Sequence, residues 1–127
     1  MIGYVTLGSN DIEKAGAYYD ELLQTIGAKR GMSDDTFIAW GTSATAPALS
    51  VIKPADGNAA TVGNGVMVAI TLDSNDKVDA FHAKALELGG TDEGAPGPRG
   101  TGGFYAAYFR DLDGNKLAAF CYSPPAP

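Results

Sequence analysis

The chain has 127 residues, of which 45% are hydrophobic and 19% are charged, which is typical of one soluble domain that can bury its own core. A formal net charge of -6 and the absence of any basic run argue against nucleic acid as a partner, because that affinity comes from clustered Lys and Arg. A single cysteine, Cys121, cannot form an internal disulfide. No membrane-spanning run or basic-apolar leader is present in the sequence, so we predict a cytoplasmic protein.

The first half of the chain predicts one strand, one amphipathic helix and three more strands. Ile2 to Leu7 alternates as a strand does. Asn10 followed by Glu13 has the pattern of a capping box, and apolar residues then recur at helical spacing up to Gly27. Three short strand candidates follow, at residues 28–32, 36–40 and 48–53.

The second half repeats this order of elements. Thr71-Leu72-Asp73-Ser74-Asn75-Asp76 echoes Thr6-Leu7-Gly8-Ser9-Asn10-Asp11, which is the self-similarity of an internal repeat. A strand at residues 65–72, a helix at 74–88 that ends at Gly89-Gly90, and three strands are predicted. We therefore predict a single domain, residues 1–127, with a βαβββ module at 1–54, a linker at 55–64, a second module at 65–123 and a tail at 124–127.

A hairpin closes the second module. The apolar run from Phe104 to Arg110 is followed by Asp111-Leu112-Asp113-Gly114-Asn115 and a second apolar run that ends at Tyr122. The turn is not an EF-hand calcium loop, because its Gly is fourth rather than sixth and its twelfth residue is Tyr122 rather than Glu. Both strands are apolar on both faces, so neither face is expected to meet bulk water.

One helix can cover only one face of each small sheet, so the other face must line a cleft or a subunit interface. We expect the helix-facing residues to be Val5, Leu7, Val66, Val68, Ile70, Leu117 and Ala119. The uncovered face is expected to carry Tyr4, Thr6, Met67, Ala69, Thr71, Lys116, Ala118, Phe120 and Tyr122.

Several of these segments resemble one known family. The strand, the Asn-Asp-capped helix with Tyr18-Tyr19, the Val-Asp-Ala-Phe-His helix, Gly-Ala-Pro-Gly-Pro-Arg and Tyr-Phe-Arg-Asp-Leu-Asp-Gly-Asn together resemble the vicinal oxygen chelate superfamily. That superfamily includes glyoxalase I, extradiol dioxygenases, fosfomycin resistance enzymes and bleomycin resistance proteins. The resemblance runs from Met1 to Tyr122. It implies an α+β fold, in which two βαβββ modules form an open, cleft-bearing mixed sheet with helices on the outer face, and a homodimer.

The resemblance also indicates where a metal would be held. Enzymes of the superfamily bind a divalent metal with His and Glu on the cleft face, and the matching positions here are Tyr4, Met67 and Ala118. Only Tyr4 is a possible ligand, and a thioether and a methyl group do not bind such metals. We therefore predict no metal and no cofactor.

Other candidate residues have a structural interpretation beside the functional one. His82 is predicted on the helix side, away from the cleft, and the Asp111 and Asp113 carboxylates are predicted to stabilise their own turn. The glycine-rich stretch 94–103 is predicted to be a flexible loop, in which Arg99 could hold a carboxylate or a phosphate. The predicted ligand-binding residues are Tyr4, Thr6, Trp40, Met67, Arg99, Tyr108 and Phe120.

Two functional hypotheses follow, and whether the protein is an enzyme stays open between them. The first is a metal-independent protein that binds a small hydrophobic or amphipathic molecule in the cleft. The alternative is a glyoxalase-like lyase or dioxygenase-like metalloenzyme with unusual ligands, such as Tyr4 with Glu87, Asp92 or Glu93 of a partner subunit. A degenerate subunit whose cleft serves only assembly is a third possibility.

Overall fold

The computed structural model describes residues 1–123 and has an α+β fold. The chain forms two compact units. The first spans residues 1–62, and the second begins at Gly63. Each unit is a βαβββ module with one four-stranded mixed sheet and one helix, as predicted. The predicted tail at 124–127 lies outside the described residues.

The first unit has the strand order β1-β4-β3-β2. Strands β1 and β4 are parallel, and the other two pairs are antiparallel. The predicted strands are confirmed to within two residues. The elements are β1 (Tyr4–Gly8), α1 (Ile12–Gln24), β2 (Lys29–Ser33), β3 (Phe37–Gly41) and β4 (Ala48–Ile52).

The start of helix α1 differs from the predicted capping box. Asp11 is the N-cap, and its Oδ1 accepts a hydrogen bond from the Lys14 amide at 3.1 Å. Asn10 instead pairs with Ala60, donating to its carbonyl at 3.1 Å and accepting from its amide at 2.7 Å. The Asn10 side chain therefore holds the chain that follows β4, because a short amide side chain can both donate and accept.

The second unit has the matching strand order β5-β8-β7-β6, with β5 and β8 parallel. Its first strand begins three residues later than predicted. Val66, expected to face the helix, therefore precedes the strand and is exposed. The elements are β5 (Val68–Thr71), α2 (Asn75–Glu87), β6 (Thr91–Pro98), β7 (Phe104–Arg110) and β8 (Lys116–Tyr122).

The glycine-rich stretch is only partly a loop, which corrects the prediction. Strand β6 contains Gly94 and Gly97 and pairs with β7 through two shifts of register. Glycine suits such bulges, since it adds no side chain where the backbone departs from regular pairing. The loop is confined to the residues between Pro98 and Phe104.

The predicted hairpin is confirmed. Asp111 Oδ1 accepts hydrogen bonds from the amides of Asp113 and Asn115, both at 2.9 Å. Gly114 has a φ of 87°, a conformation that glycine adopts without steric cost. The turn role of Asp111 follows, because its carboxylate accepts hydrogen bonds from amides of its own loop.

Each helix packs on one face of the sheet in its own unit. On α1, Tyr19 and Leu22 are buried, and the Tyr19 ring lies 5.5 Å from that of Trp40. On α2, Phe81 lies 6.0 Å from Phe109. No helix within residues 1–123 has the length and apolar character needed to cross a membrane.

His82 belongs to the helix side of the second sheet, as predicted. Its ring is buried, and Nε2 lies 3.1 Å from Asp92 Oδ1 and 3.2 Å from the Tyr108 carbonyl oxygen. These contacts join α2 to β6 and β7. The single histidine is therefore a structural residue of the second unit.

Candidate ligand-binding faces of the two sheets

Strand register fixes which side chains of the second sheet point away from its helix. Tyr108 pairs with Ala118, Ala106 with Phe120 and Phe104 with Tyr122. The intervening residues Phe109 and Leu117 are fully buried on the α2 side. Because successive side chains of a strand alternate in direction, the opposite face carries the first set. We call the face of each sheet that points away from the helix its open face.

Aromatic side chains dominate the open face of the second sheet. The rings of Phe104 and Phe120 lie 5.6 Å apart at an interplanar angle of 34°. Both are partly exposed, as is Tyr108. Gly94 lies beside Tyr108, and a Cβ at that position would come within 2.9 Å of the tyrosine ring. The glycine therefore leaves room for the ring against β6.

Two cations flank the Tyr108 ring. The Arg99 guanidinium carbon lies 5.3 Å from the ring centroid, and Lys116 Nζ lies 5.5 Å from it. Arg99 is held there by hydrogen bonds that it donates to the carbonyl oxygens of Ala95 at 2.7 Å and Gly97 at 2.9 Å. Neither cation forms an ion pair with a carboxylate in the described part of the chain. Positive charge therefore stands next to an aromatic surface.

One carboxylate close to this region, Glu93, is ion-paired with an arginine. Glu93 accepts a hydrogen bond from Arg110 Nε. This bond and the charge of Arg110 lower the pKa of Glu93, and the charge of Lys116 adds to the effect. Glu93 thus remains ionised to lower pH than an ordinary glutamate.

The open face of the first sheet carries a smaller and neutral set of side chains. Thr6 pairs with Ser50, and Ser50 pairs with Ala39. The rings of Tyr4 and Phe37 meet edge to face, with centroids 6.3 Å apart. Tyr4 and Thr6 are thus on the open face, as the sequence predicted. Phe37 and Ser50 were not predicted for it.

Trp40 lies on the other face, which corrects its prediction as a ligand-binding residue. Its side chain is 1% exposed, and Nε1 donates to Asp20 Oδ1 on α1 at 2.8 Å. Asp20 also accepts two hydrogen bonds from Arg30, which are the main cause of its lowered pKa, with a smaller contribution from Trp40. Trp40 therefore anchors the helix to the sheet.

The chain is similar in sequence and in fold to proteins of one known superfamily. The family model of the Glyoxalase/Bleomycin resistance protein/Dioxygenase superfamily matches residues 1–119. The chain belongs to this superfamily. No curated protein matches the sequence significantly.

Solved structures of the superfamily agree with the fold. A glyoxalase/bleomycin resistance protein from Albidiferax ferrireducens T118 is 35% identical, with a TM-score of 0.87 over 97% of this chain and 99% of its own. A lactoylglutathione lyase from Agrobacterium tumefaciens is 19% identical, with a TM-score of 0.69 over 95% and 92%. The fosfomycin resistance protein FosX from Listeria monocytogenes is 17% identical, with a TM-score of 0.73 over 97% and 93%. The last two are similar in fold alone.

The residues that the resemblance matches to the superfamily's metal positions are Tyr4, Met67 and Ala118. Tyr4 is exposed, Met67 precedes β5 and is 42% exposed, and Ala118 is buried opposite Tyr108. A methyl group and a thioether have no lone pairs suited to a hard or borderline divalent metal. Within residues 1–123, no three His, Cys, Asp or Glu side chains are grouped so that they could hold a metal ion.

The alternative carboxylate donors are engaged elsewhere in the second unit. Asp92 accepts a hydrogen bond from the Gly94 amide at 2.9 Å and contacts His82. Glu93 is paired with Arg110. Glu87 lies 3.7 Å from Lys84 on α2. Asp92 and Glu93 therefore form contacts within the second unit, whereas Glu87 is exposed and its pair with Lys84 contributes little.

Proposed function

We propose that this glyoxalase-superfamily protein binds a small hydrophobic or amphipathic molecule on the open face of its second sheet, and that binding requires no metal. One observation carries the proposal: the partly exposed Tyr108 ring is flanked by two cations and lies on the same face as the Phe104–Phe120 pair. Flat apolar walls with a few fixed polar groups are the usual composition of a small-molecule site.

The charge of this face favours an anionic ligand. An aromatic body can stack on the phenylalanine pair, while a carboxylate or a phosphonate can accept hydrogen bonds from Arg99 and attract Lys116. On the second sheet the proposed ligand set keeps Met67, Arg99, Tyr108 and Phe120 and adds Phe104 and Lys116. The predicted Tyr4 and Thr6 lie on the open face of the first sheet. The similar protein from Albidiferax ferrireducens carries the name of a glyoxalase/bleomycin resistance protein, which supports a small-molecule role.

We further propose a cytoplasmic homodimer. The exposed apolar side chains Ile2, Tyr4, Val66 and Tyr122 support an interface between copies, because such side chains gain free energy when they are buried. Size-exclusion chromatography with light scattering should give twice the chain mass of 13.1 kDa. A monomer at micromolar concentration would rule out a stable dimer.

A pair of matched probes tests ligand class and site together. Calorimetric titration with 2-naphthoate and with neutral 2-naphthamide, after treatment with EDTA, should show tighter binding of the acid. Arg99→Gln should weaken 2-naphthoate by about tenfold, the order expected for one hydrogen bond to a charged group, and leave 2-naphthamide nearly unchanged. Tyr108→Ala should weaken both probes, because each loses the same ring contact.

Lys14→Gln is the control. Lys14 is an exposed residue on α1, and its substitution by Gln removes the same unit of charge as Arg99→Gln does. It should leave both affinities unchanged. If it weakens 2-naphthoate as much as Arg99→Gln does, net charge rather than a site governs binding. If neither of the two naphthalene probes and no member of a panel of aromatic acids and hydrophobic antibiotics raises the melting temperature, the proposal is wrong.

A further inference from the structure

His82 is a buried polar residue of α2 that contacts the backbone behind the Tyr108 side chain. The residue is 5% exposed, and its Nε2 lies 3.1 Å from Asp92 Oδ1 on β6 and 3.2 Å from the Tyr108 carbonyl oxygen on β7. Both oxygens are acceptors, so Nε2 carries the hydrogen that they share. One imidazole N–H therefore joins the helix to the two strands that carry the proposed site.

Asp92 connects His82 to the irregular part of β6. Its Oδ1 also accepts a hydrogen bond from the Gly94 amide at 2.9 Å, and the register with β7 shifts between Asp92 and Gly94. The bond from Gly94 is the main cause of the lowered pKa of Asp92, and the bond from His82 adds to it. A carboxylate that accepts from the amide two residues later fixes the local path of the backbone. His82 and Gly94 thus hold the same oxygen from two sides.

Gly94 lies directly against the two groups that would bind an anionic ligand. It pairs with Tyr108, and a Cβ at this position would come within 2.9 Å of the Tyr108 ring and 3.5 Å of Arg99 Nη2. The carbonyl acceptors of Arg99 belong to Ala95 and Gly97, where the register of β6 shifts again. The path of this irregular segment therefore determines where the guanidinium lies relative to the ring.

The imidazole supplies direction that apolar packing does not. The contact between α2 and the sheet already contains the ring pair Phe81–Phe109 and the fully buried Val78. Such apolar contacts stabilise the fold without fixing an orientation, whereas a hydrogen bond fixes both distance and angle. A buried N–H also costs free energy unless it has a partner. His82 therefore favours the backbone arrangement that brings Asp92 and the Tyr108 carbonyl within its reach.

We propose that His82 is a positioning residue of the ligand site on the second sheet. Through Asp92 and Gly94 it fixes the irregular segment of β6, so that Arg99 stays over the Tyr108 ring and can donate to the anionic group of the ligand. His82 lies on the helix side of the sheet and does not touch the ligand. This role rests on the proposed function for its ligand, but the geometry that His82 controls is a property of the free protein.

The geometry of the free protein is tested by NMR. Nuclear Overhauser contacts between the Arg99 side chain and the Tyr108 ring should weaken in His82→Leu, which removes the N–H donor. They should return in His82→Gln, whose side-chain amide can donate in its place. Val78→Ala is the control, because Val78 is a buried apolar residue of the same helix, and its loss lowers stability through a cavity alone. Contacts of unchanged strength in His82→Leu would overturn the proposal.

Binding by the same variants measures the effect on ligand choice. The preference for 2-naphthoate over 2-naphthamide should fall about fivefold in His82→Leu, within the range of couplings through a contact network. Asp92→Ala interrupts the network at a half-exposed side chain and should cause the same fall with the fold retained. Loss of a negative charge would by itself strengthen binding of the acid, so net charge cannot explain this fall. An unchanged preference in both variants, or an equal fall in Val78→Ala, would refute the role.

Failure of the proposed function gives a different result from failure of the positioning role. If the natural protein binds neither naphthalene probe, the proposed ligand is wrong, and the Overhauser contacts alone decide whether His82 positions Arg99. If the probes bind, His82→Leu should not change the preference further in the Arg99→Gln background, because the group that it positions is gone. A further fall in that background would show that His82 acts by another route and would overturn the proposal.

Discussion

Removal of the Asp20 carboxylate tests how the first unit is held together. Asp20 accepts from Trp40 Nε1 at 2.8 Å and from Arg30 Nε and Nη2 at 2.8 and 2.9 Å. Asp20→Ala leaves the indole N–H of a residue that is 1% exposed without a partner, which costs about 1–3 kcal/mol. The ion pair with Arg30 is partly exposed and adds at most about 1 kcal/mol. The expected loss in free energy of unfolding is about 2–3 kcal/mol.

Trp40 itself supplies the assay, because it is the only tryptophan. Urea unfolding followed by its fluorescence reports on the first unit. Asp20→Asn keeps an oxygen that can accept from the indole, so it should lose only about 1 kcal/mol. Asp35→Ala removes an exposed carboxylate and is the control. A loss below about 0.5 kcal/mol in Asp20→Ala would refute the account of Trp40 as an anchor that needs its hydrogen bond.

The contribution of Asp20 to stability depends on pH in a direction that its pKa sets. The pKa of Asp20 lies below its ordinary 3.8, mainly because Arg30 donates hydrogen bonds to the carboxylate, and this effect outweighs burial, which raises the pKa. Its contribution to stability is therefore complete above the unfolded pKa and is lost as pH falls through the folded one. The stability difference between the natural protein and Asp20→Asn should shrink as pH falls below about 4. A constant difference would contradict the shift.

Two further predictions concern the second unit. Asp111→Ala removes the acceptor of two loop amides at a buried position and should cost about 3 kcal/mol, measured by circular dichroism during chemical unfolding; a loss under about 1 kcal/mol would contradict the turn role. Tyr105 donates to Asp79 at 2.6 Å, and this bond raises its pKa above the ordinary 10.0. In an ultraviolet titration, Tyr105→Phe should therefore remove a tyrosine whose pKa lies above 10.0. Loss of a tyrosine with a lower pKa would contradict this prediction.

The fold was largely predictable because its signals are local. The hairpin at Asp111 depends on a few neighbouring residues, and the repeated order of elements shows the second module. Ser74, predicted as the first residue of the second helix, is its N-cap, and its Oγ accepts from the Lys77 amide at 3.2 Å. The cap of α1 was placed one residue too early, since Asn10 and Asp11 are both good capping residues. The Asn10 side chain bonds to Ala60 instead, which leaves Asp11 as the cap of α1.

The candidate site was less predictable. Strand β3 reads Phe37-Ile38-Ala39-Trp40-Gly41 and is apolar on both faces, so alternation alone does not indicate that Trp40 points to α1 and Phe37 points away. Likewise, the run Ala-Leu-Ser-Val-Ile does not by itself indicate that Ser50 lies on the open face. Pairing register and neighbouring rings decide both points, and these are properties of the folded sheet.

Binding of 2-naphthoate by metal-free protein tests the central claim most directly. Calorimetric titration would be run on protein stripped with EDTA, with metal content measured on the same sample, and repeated after addition of Zn²⁺, Ni²⁺, Mn²⁺ or Fe²⁺. The account predicts one affinity under all conditions, because Arg99, Tyr108 and Lys116 supply the contacts. Binding that appears only with a metal, together with stoichiometric metal retention, would contradict it.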